Sequence, residues 1–208
     1  VLANDTLKAF LPTPIIAHNA TGYYWADHTE RPLSIGRCST FMGNTGVLLR
    51  AYAYIKLLGK TGIKRASQIA TLNANYLMHH LEQMGYTLAF PTRRASHEFI
   101  ITLKPELENH GVTALDVAKR LLDYGIHAPT IYCPLLVAEC LLIEPTETES
   151  KQELDNFLNV MQSILKEIQQ SPDILTNAPH NLSIGRVNEL RAAREPDLAD
   201  YRCLNQHQ

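Results

Sequence analysis

Hydrophobic spacing predicts two helices in the first half of the chain. Apolar residues recur at three- and four-residue intervals between Ile63 and Met84, which places them on one stripe of a helix. Gly85 is expected to end that helix, because glycine readily adopts the conformation that follows a helix C-terminus. Upstream, segment 47–60 (VLLRAYAYIKLLGK) is apolar on most sides, which predicts a helix buried between other elements and ended by Gly59.

Two further helices carry capping signals at their starts. Thr113 followed by Asp116 has the spacing of a capping box and opens a helix that Gly125 closes. Ser150 and Glu153 repeat the spacing and introduce a helix with an apolar stripe of Leu154, Phe157, Leu158, Met161, Ile164, Leu165 and Ile168. Each helix therefore has one face to bury.

Strand signals lie between these helices. The segment His97–Leu103 (HEFIITL) is β-branched and aromatic around an apolar centre, which is typical of a strand. Two apolar segments follow, 125–134 (GIHAPTIYCP) and 135–144 (LLVAECLLIE), and the second is typical of a buried strand. The order of elements predicts an α/β fold with two layers, in which helices cover one face of a small sheet.

The ends of the chain differ from this central part. Residues 1–45 are punctuated by proline and suit a connecting segment, with short strands near Pro14–His18 and Gly22–Trp25. Residues 46–170 form the predicted small α/β domain, and residues 171–208 the predicted C-terminal arm. Within that arm, RVNELRAAREPDL predicts either a short amphipathic helix or a segment lying on a partner.

Composition narrows the class of protein. A chain of 208 residues, 45% of them apolar, is long enough to bury about 70% of its unfolded surface. A net charge of -2 gives no electrostatic footprint for nucleic acid or an anionic membrane. No run of about 18 apolar residues and no export signal is visible, so we expect a soluble, cytoplasmic protein. A first residue other than Met suggests a processed or truncated chain.

The cysteines favour a reducing compartment. Their positions are scattered without a C-x-x-C pair: Cys38, Cys133, Cys140 and Cys203. Reduced thiols are therefore favoured over a disulfide or a zinc site, and no metal site is predicted.

Several strings resemble the glycine decarboxylase (P-protein) family, in particular subunit 2 of its two-subunit bacterial form. They occur in the family's order and extend over essentially the whole chain: RPLSIGR (31–37), FMGNTGVLLRAYAYI (41–55), LNANYL (72–77), HEFI (97–100), DVAKRLLDYGIHAPT (116–130), IEPTETESK (143–151), NAPH (177–180) and NELRAAR (188–194). The resemblance implies the C-terminal small domain of a fold-type I enzyme that depends on pyridoxal phosphate (PLP). In this family the PLP lysine lies in a His-Lys-Thr string before a glycine-rich loop, and neither is present here.

The implied reaction is the decarboxylation of glycine, with transfer of the aminomethyl group to the lipoyl arm of the carrier H-protein. Implied partners are glycine decarboxylase subunit 1 and lipoylated H-protein, in a homo- or hetero-oligomer. Without the PLP lysine, the chain alone is expected to be inactive. The alternative is a stand-alone fragment that serves only in dimerisation or carrier docking. A different fold-type I enzyme, such as an aminotransferase, is disfavoured because the matching strings are so specific.

Candidate cofactor contacts lie near residue 40. Gly43 and Asn44 stand in a glycine-flanked turn (MGNTG) before a helix, where backbone N–H groups can face the PLP phosphate. The alternative for Asn44 is a plain N-cap, a position that asparagine favours. Arg37 and Arg50 are the arginines considered for carboxylate or phosphate contact, because the guanidinium fork matches both groups.

Candidate catalytic residues lie in the second half of the chain. By analogy with other small domains, His127 and Thr130 in GIHAPT are expected to face the substrate cleft, the alternative being a loop histidine paired with a backbone carbonyl. His97 and Glu98 open the predicted strand, where alternation lets only one face a cleft, so a strand-edge histidine is the alternative. For Thr146 and Thr148, beside Glu144, capping of the next helix is favoured.

Overall fold

The structure is a computed structural model that describes residues 3–40 and 43–196. Its chain divides into two compact units, Val1–Thr61 and Gly62–Gln208. The predicted division at 45/46 and 170/171 stays a prediction.

The first unit contains a short helix and a hairpin. Helix α1 (Asp5–Lys8), which was not predicted, precedes strands β1 (Ile15–Asn19) and β2 (Gly22–Ala26). These strands pair in antiparallel register with His18 opposite Tyr23, so the two predicted strands are confirmed. Gly22 has φ +127°, a conformation that side-chain-bearing residues rarely adopt, and it opens the second strand after the turn.

Helix α2 (Thr45–Met84) is interrupted at Gly59, whose φ of 60° and ψ of -174° are not helical. The predicted helix end at Gly59 is therefore confirmed. The prediction that the helix before it is buried is wrong, since Leu49 is 63% and Leu57 84% exposed. Apolar residues on all sides of a helix indicate a surface that favours burial, but burial also requires another element that packs against it.

The second unit is built on a four-stranded antiparallel sheet. Its spatial order is β3-β4-β6-β5, with strands β3 (Thr87–Leu88), β4 (Phe99–Thr102), β5 (Thr130–Ile131) and β6 (Cys140–Ile143). The predicted buried strand in 135–144 is confirmed as β6 and the strand in 97–103 as β4. His97 and Glu98 precede β4, so the prediction that they open the strand is wrong by two residues.

The described part of this unit also contains the part of α2 from Gly62 onward and five further helices: α3 (Lys104–His110), α4 (Ala114–Asp123), α5 (Lys151–Gln170), α6 (Asp173–Thr176) and α7 (Glu189–Arg194). The capping box of α4 is confirmed, because Thr113 accepts from Asp116 N–H while Asp116 accepts from Thr113 N–H. Ser150 caps α5 by accepting from Glu153 N–H at 3.2 Å. Of the two alternatives given for the C-terminal arm, the short helix is observed as α7, and contact with a partner stays a prediction. Helices α3 and α6 and strand β3 were not predicted.

One hydrophobic core joins the helices to the sheet. Ile101 of β4 lies opposite Leu141 of β6. Both belong to one buried cluster with residues of α2, α4 and α5, among them Leu81, Leu121, Met161 and Ile164. The predicted α/β fold is confirmed.

The cysteines Cys38, Cys133 and Cys140 are free thiols, and Cys140 is buried. Cys203 lies outside the described residues.

Candidate functional site

One end of the sheet gathers most of the polar candidates. Because β4 and β6 are antiparallel, the start of β4 lies beside the end of β6, with Phe99 paired to Ile143. The first residue of β5, Thr130, pairs with Leu142. Strand β3 runs against β4, so its end faces the same way. Loops from all four strands therefore meet at this end, which holds two depressions that share Leu142.

The larger depression, which we call the histidine groove, has a volume of 430 Å³. Its polar rim consists of His127, Thr130, Glu144, Glu149, Glu153 and Asn156, over a floor that includes Leu77, Leu142 and Phe157. Gly125, with φ +74°, lets the chain leave α4 and run along the groove. The groove thus combines an apolar floor with a few polar groups, as ligand pockets do.

The loop after β6 is fixed from α2. Asn73 is buried, and its Nδ2 donates to the carbonyl of Thr146 at 2.9 Å and to that of Glu149 at 3.4 Å. Thr146 and Thr148 bond to each other through their hydroxyls at 2.6 Å. The prediction that one of them caps α5 is wrong, because Ser150 stands at the cap. Instead, this loop forms one wall of the groove.

His97 lies beside the groove, close to Glu144 of the groove rim. Its Nε2 is 3.9 Å from Glu144 Oε1 and 4.0 Å from Glu98 Oε2, and its Nδ1 is 3.2 Å from Ser96 Oγ. Of the three predicted catalytic residues, His127 and Thr130 line the groove, whereas His97 lies outside its lining and 3.9 Å from Glu144, which belongs to it. Sequence reasoning missed Glu144 as a site residue, because its position beside His97 depends on the register of β4 against β6.

The smaller depression, which we call the arginine pocket, has a volume of 230 Å³. Arg93, Arg94, Ser96 and Glu98 line it together with the apolar side chains of Met78, Leu88, Phe90 and Ile100. No sequence pattern pointed to it, since the run PTRRAS has no helical or strand period.

The cofactor candidates lie in the first unit. Arg37 and Gly43 line one shallow depression there, with Trp25 and Cys38, and Arg50 is not among its lining residues. Asn44 is engaged as a helix cap: its Oδ1 accepts from Val47 N–H at 3.1 Å. The alternative considered for Asn44 is thus the one observed, and phosphate contact at this turn stays a prediction. Met42, the first residue of the turn, lies outside the described residues.

Neither depression at the sheet end offers a covalent attachment point for PLP. In the described part of the chain, no lysine lines the histidine groove or the arginine pocket. Across the same ranges, no group of three His, Cys, Asp or Glu side chains is placed to hold a metal ion. No described helix is long and apolar enough to cross a membrane.

Comparison with solved structures defines the class of protein. The chain superposes on the crystal structure of glycine decarboxylase (P-protein) of the glycine cleavage system, in inhibitor-bound form, with a TM-score of 0.56 over 72% of this chain and 34% of that chain. At 16% identity this similarity shows the fold alone. The fold is that of the C-terminal α/β region of a fold-type I PLP-dependent enzyme.

Comparison of sequences gives the family. The family model described as "Glycine dehydrogenase, C-terminal domain" matches residues 66–182, and the chain belongs to this family. It is 64% identical, over 97% of its length, to the probable glycine dehydrogenase (decarboxylating) subunit 2 of Coxiella burnetii strain Dugway 5J108-111. The protein of the same name from Legionella pneumophila strain Corby is 57% identical over 95% of this chain. The chain spans 41% of the length of each of these relatives.

Proposed function

We propose that this chain is part of a PLP-dependent glycine dehydrogenase (decarboxylating). The complete enzyme decarboxylates glycine and transfers the aminomethyl group to the lipoyl arm of the carrier H-protein. The observation that carries this proposal is the 64% identity over 97% of the chain to a protein named probable glycine dehydrogenase (decarboxylating) subunit 2. Because the identity extends over 97% of the chain, an inactive fragment serving only in dimerisation or docking is not favoured.

The contribution of this chain to the reaction is to line the substrate cleft. His127 and Thr130 supply hydrogen-bonding groups on the rim of the histidine groove, and His97 lies 3.9 Å from Glu144, another residue of that rim. The floor of Leu77, Leu142 and Phe157 keeps the groove apolar, and excluding water strengthens the polar contacts made on its rim. His97, His127 and Thr130 therefore orient the reacting group and hold or move protons beside it.

PLP is the cofactor that we propose for the complete enzyme. When bound, it delocalises the electron pair that remains on the α-carbon after CO2 leaves, which no side chain does well. We place its covalent lysine outside these 208 residues, because the family's His-Lys-Thr string is not in the sequence. The residues present suit only a phosphate contact at Gly43 and Asn44, with Arg37 nearby. That contact would come from backbone N–H groups, since the Asn44 side-chain oxygen is used by Val47.

The proposed partners follow from the same similarity. The relatives are named as subunit 2, which supports a glycine decarboxylase subunit 1 as the partner chain. Lipoylated H-protein is the proposed acceptor, the assembly is proposed to be a homo- or hetero-oligomer, and the cytoplasm is the proposed location.

The proposal is tested in the complete enzyme with glycine and lipoylated H-protein, by following the exchange of labelled CO2 into glycine. We expect His127→Gln and Thr130→Val to lower the exchange rate at least tenfold, as loss of a positioned polar group does. His97→Gln is expected to have a smaller effect, since His97 lies beside Glu144 and does not itself line the groove. His79→Gln, an exposed position on α2, is the matched control. Exchange that is absent in the parent enzyme, or unchanged in all three variants, contradicts the proposal.

A further inference from the structure

Two adjacent arginines in the arginine pocket have no acidic partner. The ion pairs of residues 3–40 and 43–196 include neither Arg93 nor Arg94, although both line the pocket. Glu98 also lines it, but its contact is with His97 Nε2 at 4.0 Å. The pocket therefore carries an excess of positive charge that the described part of the chain does not neutralise.

The loop that presents these arginines is held in place by α2. Asn75 Nδ2 donates to the carbonyl of Ala95 at 2.9 Å, and the Ala95 N–H donates back to Asn75 Oδ1 at 3.2 Å. A turn bond from Arg93 N–H to the Phe90 carbonyl, at 3.1 Å, closes the preceding part of the loop. Because the backbone on both sides is fixed, less conformational freedom is lost when a ligand meets the arginines.

Apart from Arg93, Arg94, Ser96 and Glu98, the side chains that line the pocket are apolar. The Arg93 guanidinium lies 5.6 Å from the centre of the Phe90 ring, and Met78 and Ile100 complete the lining. A guanidinium held over a ring in this way keeps its planar N–H fork free to bind an oxyanion. A volume of 230 Å³ admits a compact ligand and no more. A bare inorganic anion would leave the apolar walls without contact.

From these features we propose that the arginine pocket binds a small carboxylate carried on an apolar body. The carboxylate pairs with the guanidinium groups of Arg93 and Arg94, and the apolar body contacts Phe90 and Met78. This inference does not depend on the proposed function. Glu98 opposes such a ligand, since it adds a negative charge to the same lining.

The test is a titration of the 208-residue chain with benzoate, followed by amide NMR shifts and calorimetry. We expect saturable binding, with a dissociation constant on the order of 1 mM and shifts centred on residues 90–98. Arg93→Gln and Arg94→Gln should each weaken binding about tenfold, as loss of a charge-assisted hydrogen bond does. Arg93→Lys should lie between parent and Arg93→Gln, because it keeps the charge and loses the fork. Glu98→Gln should strengthen binding.

Arg65→Gln, an exposed arginine on α2 outside the pocket, is the matched control and should leave binding unchanged. Thermal unfolding of each variant shows whether it is folded. Benzamide keeps the apolar ring without the negative charge, and inorganic phosphate keeps the negative charge without the ring. Both should bind at least tenfold more weakly than benzoate. Equal binding of benzamide, equal binding of phosphate, or unchanged binding in both arginine-to-glutamine variants overturns the proposal.

Discussion

Arg186 reaches Asp116 across the second unit: its Nη2 donates to Asp116 Oδ1 at 2.6 Å, between residues 70 positions apart in sequence. The other oxygen of Asp116 closes the capping box with Thr113. Arg186 also donates to the carbonyls of Ala178 and Leu175. One arginine therefore fastens the C-terminal segment to the start of α4.

Loss of this contact is expected to destabilise the fold. Asp116 is only 4% exposed, so Arg186→Gln leaves a buried carboxylate short of a partner. We expect the free energy of unfolding to fall by about 1–3 kcal/mol, measured by urea denaturation. The control is Arg191→Gln, because the pair of Arg191 with Glu195 has both side chains 76% exposed. Its effect should stay within about 0.5 kcal/mol, and equal losses in the two variants would argue against a special role for Arg186.

This pair shows which contacts the sequence could predict. Thr113 and Asp116 are three residues apart, so their capping box follows from spacing alone, as does the end of α2 at Gly85. The bond from Arg186 to the same carboxylate follows from no local pattern, because it depends on how the C-terminal segment packs.

The residues of the candidate site also divide into those that the sequence could predict and those that it could not. His127 and Thr130 were proposed through the family resemblance, and their common place on the groove rim needs only the short loop between α4 and β5. Glu144 was missed because its position beside His97 depends on the register of β4 against β6. The arginine pocket was missed because the run PTRRAS has no helical or strand period. The prediction that the helix around Leu49 is buried was wrong, because the apolar composition of a helix does not show whether another element packs against it.

A second prediction concerns acid. The hydrogen bond from Arg120 lowers the pKa of Glu167. Burial by itself raises the pKa of Asp123, but the N–H groups of Asn181 and His180, together with Arg120, lower it overall. A carboxyl whose pKa is lower in the folded state stabilises the fold above its unfolded pKa, roughly 4, and that stability is lost as pH falls through the folded value.

The chain should therefore lose stability as the pH is lowered from about 5 to about 3. Glu167→Gln should lower the free energy of unfolding at pH 7, and its difference from the parent should shrink as the pH falls through the lowered pKa of Glu167, where the parent carboxyl takes up its proton. Urea titrations at several pH values measure both. Glu195→Gln, at an exposed position, serves as the control. A constant difference between Glu167→Gln and parent across this range would rule out the linkage.

The third prediction concerns Glu106, whose contribution to stability changes with pH in the opposite direction. Glu106 is 8% exposed and its Oε2 has no hydrogen-bond partner. Burial raises the pKa of this carboxyl. A carboxyl with a raised folded pKa favours the fold below its unfolded pKa, roughly 4.3, and this contribution is lost as pH rises through the folded value. At neutral pH the buried charge therefore costs stability.

Replacing Glu106 by glutamine removes the charge and keeps the shape of the side chain. We expect Glu106→Gln to raise the free energy of unfolding by about 1 kcal/mol at pH 7, with the gain disappearing near pH 4. Glu108→Gln is the control on the same helix, since Glu108 is exposed and pairs with Lys104 at 3.6 Å. A loss of stability at pH 7 would mean that the ionised carboxylate of Glu106 has favourable polar partners in the folded state.

The last prediction separates the two roles considered for the turn at Gly43 and Asn44. The Asn44 side chain caps α2 through Val47 N–H, so Asn44→Leu should cost about 1 kcal/mol of apo stability, and Asn44→Ser should keep most of it. Gly43 has φ +114°, which strains any residue with a Cβ. In the complete enzyme, Gly43→Ala should therefore distort the backbone N–H groups that we propose for the phosphate.

Loss of one such hydrogen bond corresponds to about a tenfold rise in the PLP dissociation constant. Asn44→Ser is the matched control, since it changes the adjacent residue and leaves both the cap and the backbone in place. Cofactor affinity is measured by absorbance during PLP titration, and apo stability by thermal unfolding. If Gly43→Ala binds PLP as tightly as the parent enzyme, the turn serves only to begin α2, and the phosphate is held by residues outside this chain.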